Sequence, residues 1–234
     1  MKTTIVIPTY NEKENIELLL TAIFNLTIPE LSIIIIDDNS PDGTATCVKR
    51  IQVNHPISLI ERKEKLGLGS AYIIGFKQAL TDGADIIIEM DADFSHDPKD
   101  LPRLIQAIEN SDIGIGSRKI AGGQIIGWNM RRHIMSNGAM TISRLFLGLK
   151  THDITAGFRV YRRYVLEQIS LDKIKNNGYA FQEEILWRVE KHGFRVLEIP
   201  VTFADREHGK SKLSKKDILE FFLFIFRVRF GLIK

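Results

Sequence analysis

One cysteine, Cys47, stands in 234 residues. It excludes an internal disulfide and any Cys-x-x-Cys metal site, which points to a reducing compartment and leaves any metal to oxygen or histidine ligands. No apolar run reaches the ~20 residues of a membrane-spanning helix; the most apolar stretch near the C-terminus is broken by Glu220 and stopped by Arg227. Neither a basic n-region, an apolar h-region nor a cleavage site precedes the first strand-like segment, so no signal peptide is expected. Linkers, repeats and low-complexity segments are also missing, which favours one domain. The first strand-to-helix connection, Pro8-Thr9-Tyr10-Asn11-Glu12, has no glycine and so lacks the fingerprint of a dinucleotide-binding oxidoreductase. Gly67-Leu68-Gly69-Ser70 comes too late in the chain to replace it; those glycines read as close packing of a helix on a strand, or as part of a site's lining. Positive charge is scarce until the end. Residues 1–205 carry a net −2 and residues 206–234 a net +5. A basic, aromatic-rich tail suits an acidic surface, membrane or nucleic acid, or simply a solvated helix face.

What is present is ordinary globular composition, 44% hydrophobic and 26% charged, arranged in a regular rhythm. Strands are predicted at residues 3–8, 31–36, 57–60, 85–91 and 112–117, and helices at 12–24, 44–53, 70–80 and 98–109. Asn11 with Glu14 forms a capping box for the first helix, and Ile16, Leu19, Leu20, Ile23 and Phe24 form its apolar stripe. Asp97 caps the fourth, with Pro98 at its first position. Alternation of this kind predicts an α/β fold with a mostly parallel sheet covered by helices on both faces. After residue 117 the rhythm changes. A Gly-rich loop (119–127), a helix (130–147), a strand or turn (153–161), helices at 164–174 and 181–192 and a strand at 196–203 read as an acceptor-side extension of the same domain. From residue 214 the chain is helical, with Ile218, Phe221, Phe222, Ile225 and Phe226 on one stripe. It is either an interfacial membrane helix or one packed on the core or a partner.

The central stretch is Asp85-Ile86-Ile87-Ile88-Glu89-Met90-Asp91-Ala92-Asp93. In a strand, the i, i+2 spacing places Asp91 and Asp93 on one side. Two carboxylates at the end of a buried strand suit Mg²⁺ or Mn²⁺, which complete their shells with substrate phosphates and water. A single Asp-x-Asp is as readily a strand end opening into a loop. Here three polar clusters (residues 8–12, Asp37-Asp38 and 91–93) each follow a different apolar strand and so gather at the carboxyl edge, where such sheets bind ligands. That convergence favours a metal-diphosphate site.

Seven segments in order carry a resemblance: Pro8-Thr9-Tyr10-Asn11-Glu12, Asp37-Asp38-Asn39-Ser40-Pro41-Asp42-Gly43-Thr44, Gly67-Leu68-Gly69-Ser70-Ala71-Tyr72, Asp91-Ala92-Asp93-Phe94-Ser95-His96, Gly116-Ser117-Arg118, Asp153-Ile154-Thr155-Ala156-Gly157-Phe158-Arg159 and the run from Arg206 to Lys212. Together they resemble the family-2 inverting glycosyltransferases of GT-A fold, and within them the dolichyl-phosphate (polyprenol-phosphate) mannosyltransferases. The resemblance implies a GT-A domain over residues 1–213, its donor half about 1–118 and its acceptor half about 119–213, followed by a basic amphipathic helix over 214–234. It implies transfer of mannose from GDP-mannose to a polyprenyl (dolichyl-type) monophosphate with inversion, dependent on Mg²⁺ or Mn²⁺, at the cytoplasmic face of a membrane. A membrane-anchoring subunit is a further partner it allows, and nucleic acid is not among its partners. UDP-glucose is the alternative donor, and a non-catalytic sugar-nucleotide-binding protein the alternative outside the enzyme class.

On the same resemblance Pro8, Tyr10, Glu12, Ile36 and Asp38 hold the donor's base and ribose, Ala92 lies against the nucleotide, and Asp91 and Asp93 bind the metal. Arg206 and Lys212 close over the phosphates on a loop freed by Gly209, and Arg118, Arg132 and Ser136 hold the acceptor phosphate, Arg118 also bordering the donor. Three positions depart from the pattern: Ala156, Asn137 (often Arg) and Ser95 (Gln in some relatives). His96 and His208 are candidate acid-base groups on general grounds, but a phosphate monoester, with a second pKa of about 6, needs no base to attack near neutral pH.

Overall fold

The computed structural model describes residues 1–174, 176, 178–204 and 215–232, with backbone alone at 178–179 and 215–219. Its strands are β1 (Thr3–Thr9), β2 (Leu31–Asp37), β3 (Ile57–Glu61), β4 (Ile86–Glu89), β5 (Ile113–Ser117), β6 (Gln124–Ile126), β7 (Arg159–Arg162), β8 (Val196–Pro200) and β9 (Thr202–Ala204). Helices are α1 (Lys13–Phe24), α2 (Thr44–Ile51), α3 (Leu68–Thr81), α4 (Leu101–Ala107), α5 (Met130–Leu147), α6 (Arg163–Gln168), α7 (Gly178–Lys191) and α8 (Lys215–Arg229). Seven strands form one sheet in the order β3-β2-β1-β4-β7-β5-β8, and β6 pairs with β9 in a second. The expected α/β architecture, a mostly parallel sheet between helical layers, is what the chain adopts.

Alternation along the isoleucine-rich strands builds both faces. Ile5, Ile7, Ile33, Ile35, Ile86 and Ile88 pack with the buried stripe of α1 and with α4. Val6, Ile34, Ile36 and Ile87 point the other way, toward α3, α7 and α8. Burial on both faces is the reason these strands read as unbroken apolar runs.

The chain departs from its local sequence pattern in four respects. First, β7 runs antiparallel between β4 and β5, with Glu89 opposite Arg159 and Ile115 opposite Arg159 on its other side. The strands before and after α4 are therefore not neighbours, and the loop leading into β7 arrives at the carboxyl edge of the parallel strands. Second, α1 begins at Lys13 without the Asn11–Glu14 box: Asn11 has φ +59°, and Glu12 occupies the cap position without a side-chain cap. The open N–H groups are satisfied from the next loop, Lys13 N donating to Asp42 Oδ2 (3.0 Å) and Glu12 N to Thr44 Oγ1 (3.0 Å). Third, the stretch predicted as one strand over 196–203 breaks at Val201 between β8 and β9, and that predicted as a helix over 164–174 ends at Gln168, ahead of Ser170 at φ +57°. Fourth, the tail packs by Phe221, Phe224 and Ile225, whereas Phe222 and Phe226 are about half exposed (44% and 53%). Phe224 meets Trp187 of α7 edge to face at 6.0 Å. One face of α8 thus belongs to the core, and Ile218 lies outside the described side chains.

Glu183 of α7 is fully buried, and among the described residues neither carboxyl oxygen has a hydrogen-bond partner of good geometry. Burial pushes its pKa from 4.5 to about 8, with Ser143 of α5 opposing weakly. Since the folded state holds this proton more tightly than the unfolded one, stability falls as pH rises between 4.5 and about 8 and levels off above. Glu183→Leu is expected to flatten that slope and raise Tm by roughly 3–10 °C at about pH 7.5. Melting curves of both proteins across the window decide it; parallel slopes would contradict the burial argument.

Candidate active site

The carboxyl ends of β1, β2, β4 and β5 and the entry to β7 meet at one edge of the sheet. The loops after β1 and β2 are tied together by Asp37, which is 1% exposed. It accepts Thr9 Oγ1 (2.8 Å), Ser40 N (2.8 Å) and Ser40 Oγ (2.6 Å), and Asn11 N in turn donates to Ser40 Oγ (3.0 Å). Pro8 and Ile36 are register partners on these strands. Tyr10 is half-buried, with Lys65 Nζ 3.9 Å from its ring centroid. Asp38 is buried against Arg62, which also donates to Ser70 Oγ (2.6 Å) and Gly67 O (3.1 Å). Arg62 thus joins Asp38 to the start of α3.

Strand β4 ends at Glu89, so the pleat does not set the directions of Asp91 and Asp93; both lie in the loop beyond it. Contacts to the loop take over that task. Tyr72 of α3 donates its hydroxyl to Asp91 Oδ1 (2.8 Å), and Asp91 N donates to His96 Nδ1 (3.1 Å). Phe94, at φ +58°, turns the chain so that Ser95 N reaches Asp93 Oδ1 (3.1 Å). His96 stacks on Phe158 at 5.0 Å, and its Nδ1 is taken up by the Asp91 amide. Ala92 is buried between the two aspartates.

Beneath the loop lies a polar network with no exposure. Glu89 accepts from Tyr161 Oη (3.0 Å) and from Gln182, and burial raises its pKa to about 7 against the pull of Arg159. Arg159 itself donates to Ala156 O (2.7 Å), Ile154 O (2.9 Å) and Gln182 O (3.0 Å), which fixes the 153–158 loop beside Asp91. A Cβ on Gly157 would stand 3.8 Å from Asp91 Oδ2 and 3.6 Å from His96 Cε1. Glycine here leaves room beside the carboxylate.

Past β5, Arg118, Lys119 and Arg132 form a cationic pole. Arg118 is locked on buried Asp153, Nε to Oδ2 (2.7 Å) and Nη2 to Oδ1 (2.6 Å), with Nη2 also reaching Thr155 Oγ1 (2.9 Å). Burial opposes the charge on Asp153, but Arg118 outweighs it and holds the pKa below the usual range. Arg118, Lys119 and Arg132 lie 5.9, 5.7 and 4.1 Å from the ring of Trp128. Arg132 stands in the first turn of α5, capped by Asn129, and Ser136 follows one turn later on the same face. Lys119 Nζ donates to Asn137 Oδ1 (2.8 Å), and its pKa is lowered by burial and then by Arg118. Arg206, His208, Gly209 and Lys212 lie outside the described residues.

Asp91 and Asp93 put two hard oxygen donors on one loop, the donor type a divalent ion such as Mg²⁺ or Mn²⁺ takes. Among the described residues no group of three or more His, Cys, Asp or Glu side chains gathers around a metal position. Arg62, Lys65, Lys119 and Trp128 join the predicted residues at this edge. Their one signal in the sequence is position just past a strand, as for the residues that were predicted.

A family model described as Glycosyl transferase family 2 matches residues 4–170. Polyprenol monophosphomannose synthase of Mycolicibacterium smegmatis is 43% identical over 222 residues, 94% of this chain and 83% of that protein. Undecaprenyl-phosphate mannosyltransferase of Micrococcus luteus is 42% identical over 215 residues, 92% of this chain and 88% of that protein. Among solved structures, a mannosyltransferase from Pyrobaculum calidifontis in complex with GDP-Man and Mn²⁺ superposes with a TM-score of 0.59 at 19% identity, covering 90% of this chain and 58% of that one.

Proposed function

Because the chain belongs to glycosyl transferase family 2, we propose that it moves mannose from GDP-mannose to a polyprenyl monophosphate with inversion of the anomeric centre. One arrangement carries this reading: in the strand order, Asp91 and Asp93 after β4 stand between the nucleotide-side loops of β1 and β2 and the cationic pole after β5. A sugar nucleotide on one side and a phosphate acceptor on the other would meet at the two aspartates. The names of the two relatives and the GDP-Man and Mn²⁺ of the Pyrobaculum calidifontis enzyme support the same donor, acceptor and ion. Residues 1–118 serve as donor half, 119–213 as acceptor half and 214–234 as an amphipathic tail.

Asp91 and Asp93 would hold Mg²⁺ or Mn²⁺, which would supply charge to the departing diphosphate. Arg132, Ser136 and Arg118 hold the acceptor phosphate, which is mostly ionised near neutral pH and attacks without a general base. His96 is engaged by the Asp91 amide and is not needed. The chain's own contribution is then positioning and fixed charge, with Arg206 and Lys212 assigned to the donor phosphates.

The reading includes a membrane surface as partner. No described helix is long and apolar enough to cross a membrane. Yet α5 and α8, which pack on each other, leave Ile134, Met135, Leu145, Phe222, Phe226 and Phe230 exposed. Such residues beside Arg227 and Arg229 suit reversible attachment to an anionic leaflet, each basic residue adding about 1 kcal/mol at best. Because Phe221, Phe224 and Ile225 are core, point changes on the exposed side test this better than truncation. Leu145→Glu combined with Phe226→Glu is expected to abolish sedimentation with anionic liposomes and lower transfer from GDP-mannose to membrane-embedded acceptor. Transfer to a short soluble isoprenyl phosphate stays near wild type. Equal loss on both acceptors would contradict the membrane role, and no transfer to either by the wild type would contradict the function.

A further inference from the structure

The close packing of α3 on the sheet has a geometric result at the aspartates. A Cβ on Gly75 would lie 2.2 Å from Val6 Cγ1, so α3 sits closer to β1 than any side chain there would allow. One turn earlier Tyr72 is fully buried, its ring stacked with Phe76 and Phe181, both at 5.8 Å. That stack holds the phenol rigid and brings its hydroxyl to Asp91 Oδ1 at 2.8 Å. Asp91 needs such a partner because β4 has ended two residues before it and no ladder sets its direction.

We propose that Tyr72 is a positioning residue of the metal site: its hydroxyl fixes the rotamer of Asp91 so that the carboxylate is presented toward the donor diphosphate. The inference rests on the metal reading above. A tyrosine suits the task because an ionised carboxylate only accepts hydrogen bonds, and the phenol donates one without adding charge. Partners behind a metal ligand typically contribute 10- to 100-fold in metal affinity. The hydroxyl gives the Gly67-Leu68-Gly69-Ser70-Ala71-Tyr72 segment a role at the site without any glycine touching the nucleotide.

Tyr72→Phe keeps the ring stack and removes the donor. Mn²⁺ is titrated into each protein in the presence of GDP, with free Mn²⁺ followed by its electron paramagnetic resonance signal. The variant is expected to bind Mn²⁺ about 10- to 100-fold more weakly, to bind GDP in EDTA as the wild type does, and to regain turnover at high Mn²⁺. Phe76→Leu, which loosens the same stack but keeps the hydroxyl, should weaken Mn²⁺ binding clearly less than Tyr72→Phe and so separates the hydroxyl from packing. Wild-type Mn²⁺ affinity in Tyr72→Phe, turnover that high Mn²⁺ does not restore, or equal weakening by Phe76→Leu overturns the proposal. A wild-type protein that takes up no Mn²⁺ overturns the metal site itself, and this inference with it.

Discussion

Asp91→Asn and Asp93→Asn are each expected to lower turnover by about 10²- to 10³-fold or more, with the fold intact. Each change removes a negative oxygen ligand from the ion that offsets the charge of the departing diphosphate. Neither changes side-chain volume. At Asp91 the amide can still accept from Tyr72, provided its oxygen takes the Oδ1 place; at Asp93 the same holds for Ser95 N. Loss of activity would therefore come from charge. Melting temperature and GDP binding in EDTA check the fold, and turnover against metal concentration checks the cause. A well-folded double variant with normal turnover, or wild-type turnover that EDTA leaves untouched, would remove the metal from the mechanism.

Arg132→Ala is expected to raise the KM for polyprenyl phosphate by about 10- to 100-fold, as a charged hydrogen bond contributes about 1.5–3 kcal/mol. GDP affinity measured without acceptor should stay near wild type, because Arg132 stands on α5 over Trp128, on the far side of β4 from the β1 and β2 loops. Arg118 is the less informative target. Its bidentate pair with fully buried Asp153 means that Arg118→Ala would strand a buried carboxylate, and folding would suffer along with binding. If Arg132→Ala instead weakens GDP, the residue serves the donor and the acceptor pole must be redrawn.

The layers of the fold were legible because the isoleucine-rich strands are buried on both faces and the helices between them carry clear stripes. Helix α5 spans the predicted 130–147. Asp97 caps the turn that follows it, accepting Lys99 N at 2.9 Å. Long-range partners were not legible. Nothing local tells β7 to insert between β4 and β5, and the first turn of α1 is capped by Asp42 and Thr44, some thirty residues away. In α8 the run Phe221-Phe222-Leu223-Phe224-Ile225-Phe226 is apolar all round, so the stripe read through Phe222 and Phe226 was one of several; packing against α5 and α7 chose Phe221, Phe224 and Ile225. The same limit applies at the site. Asp91, Asp93, Arg118 and Arg132 announce themselves by charge at the ends of strands or at a helix start, but the partners of Asp38 and Asp91, Arg62 and Tyr72, become visible only once α3 is laid on the sheet.

The most direct test of the central claim is transfer itself. Purified protein is incubated with GDP-mannose labelled in the sugar, undecaprenyl phosphate and Mg²⁺ or Mn²⁺, and label extractable into organic solvent is counted, with UDP-glucose and EDTA in parallel. The account predicts a lipid-linked, β-configured mannosyl phosphate that forms from GDP-mannose, is lost with EDTA and does not form its glucosyl counterpart from UDP-glucose. Lipid labelling from UDP-glucose but not from GDP-mannose, or labelling indifferent to EDTA, would contradict it.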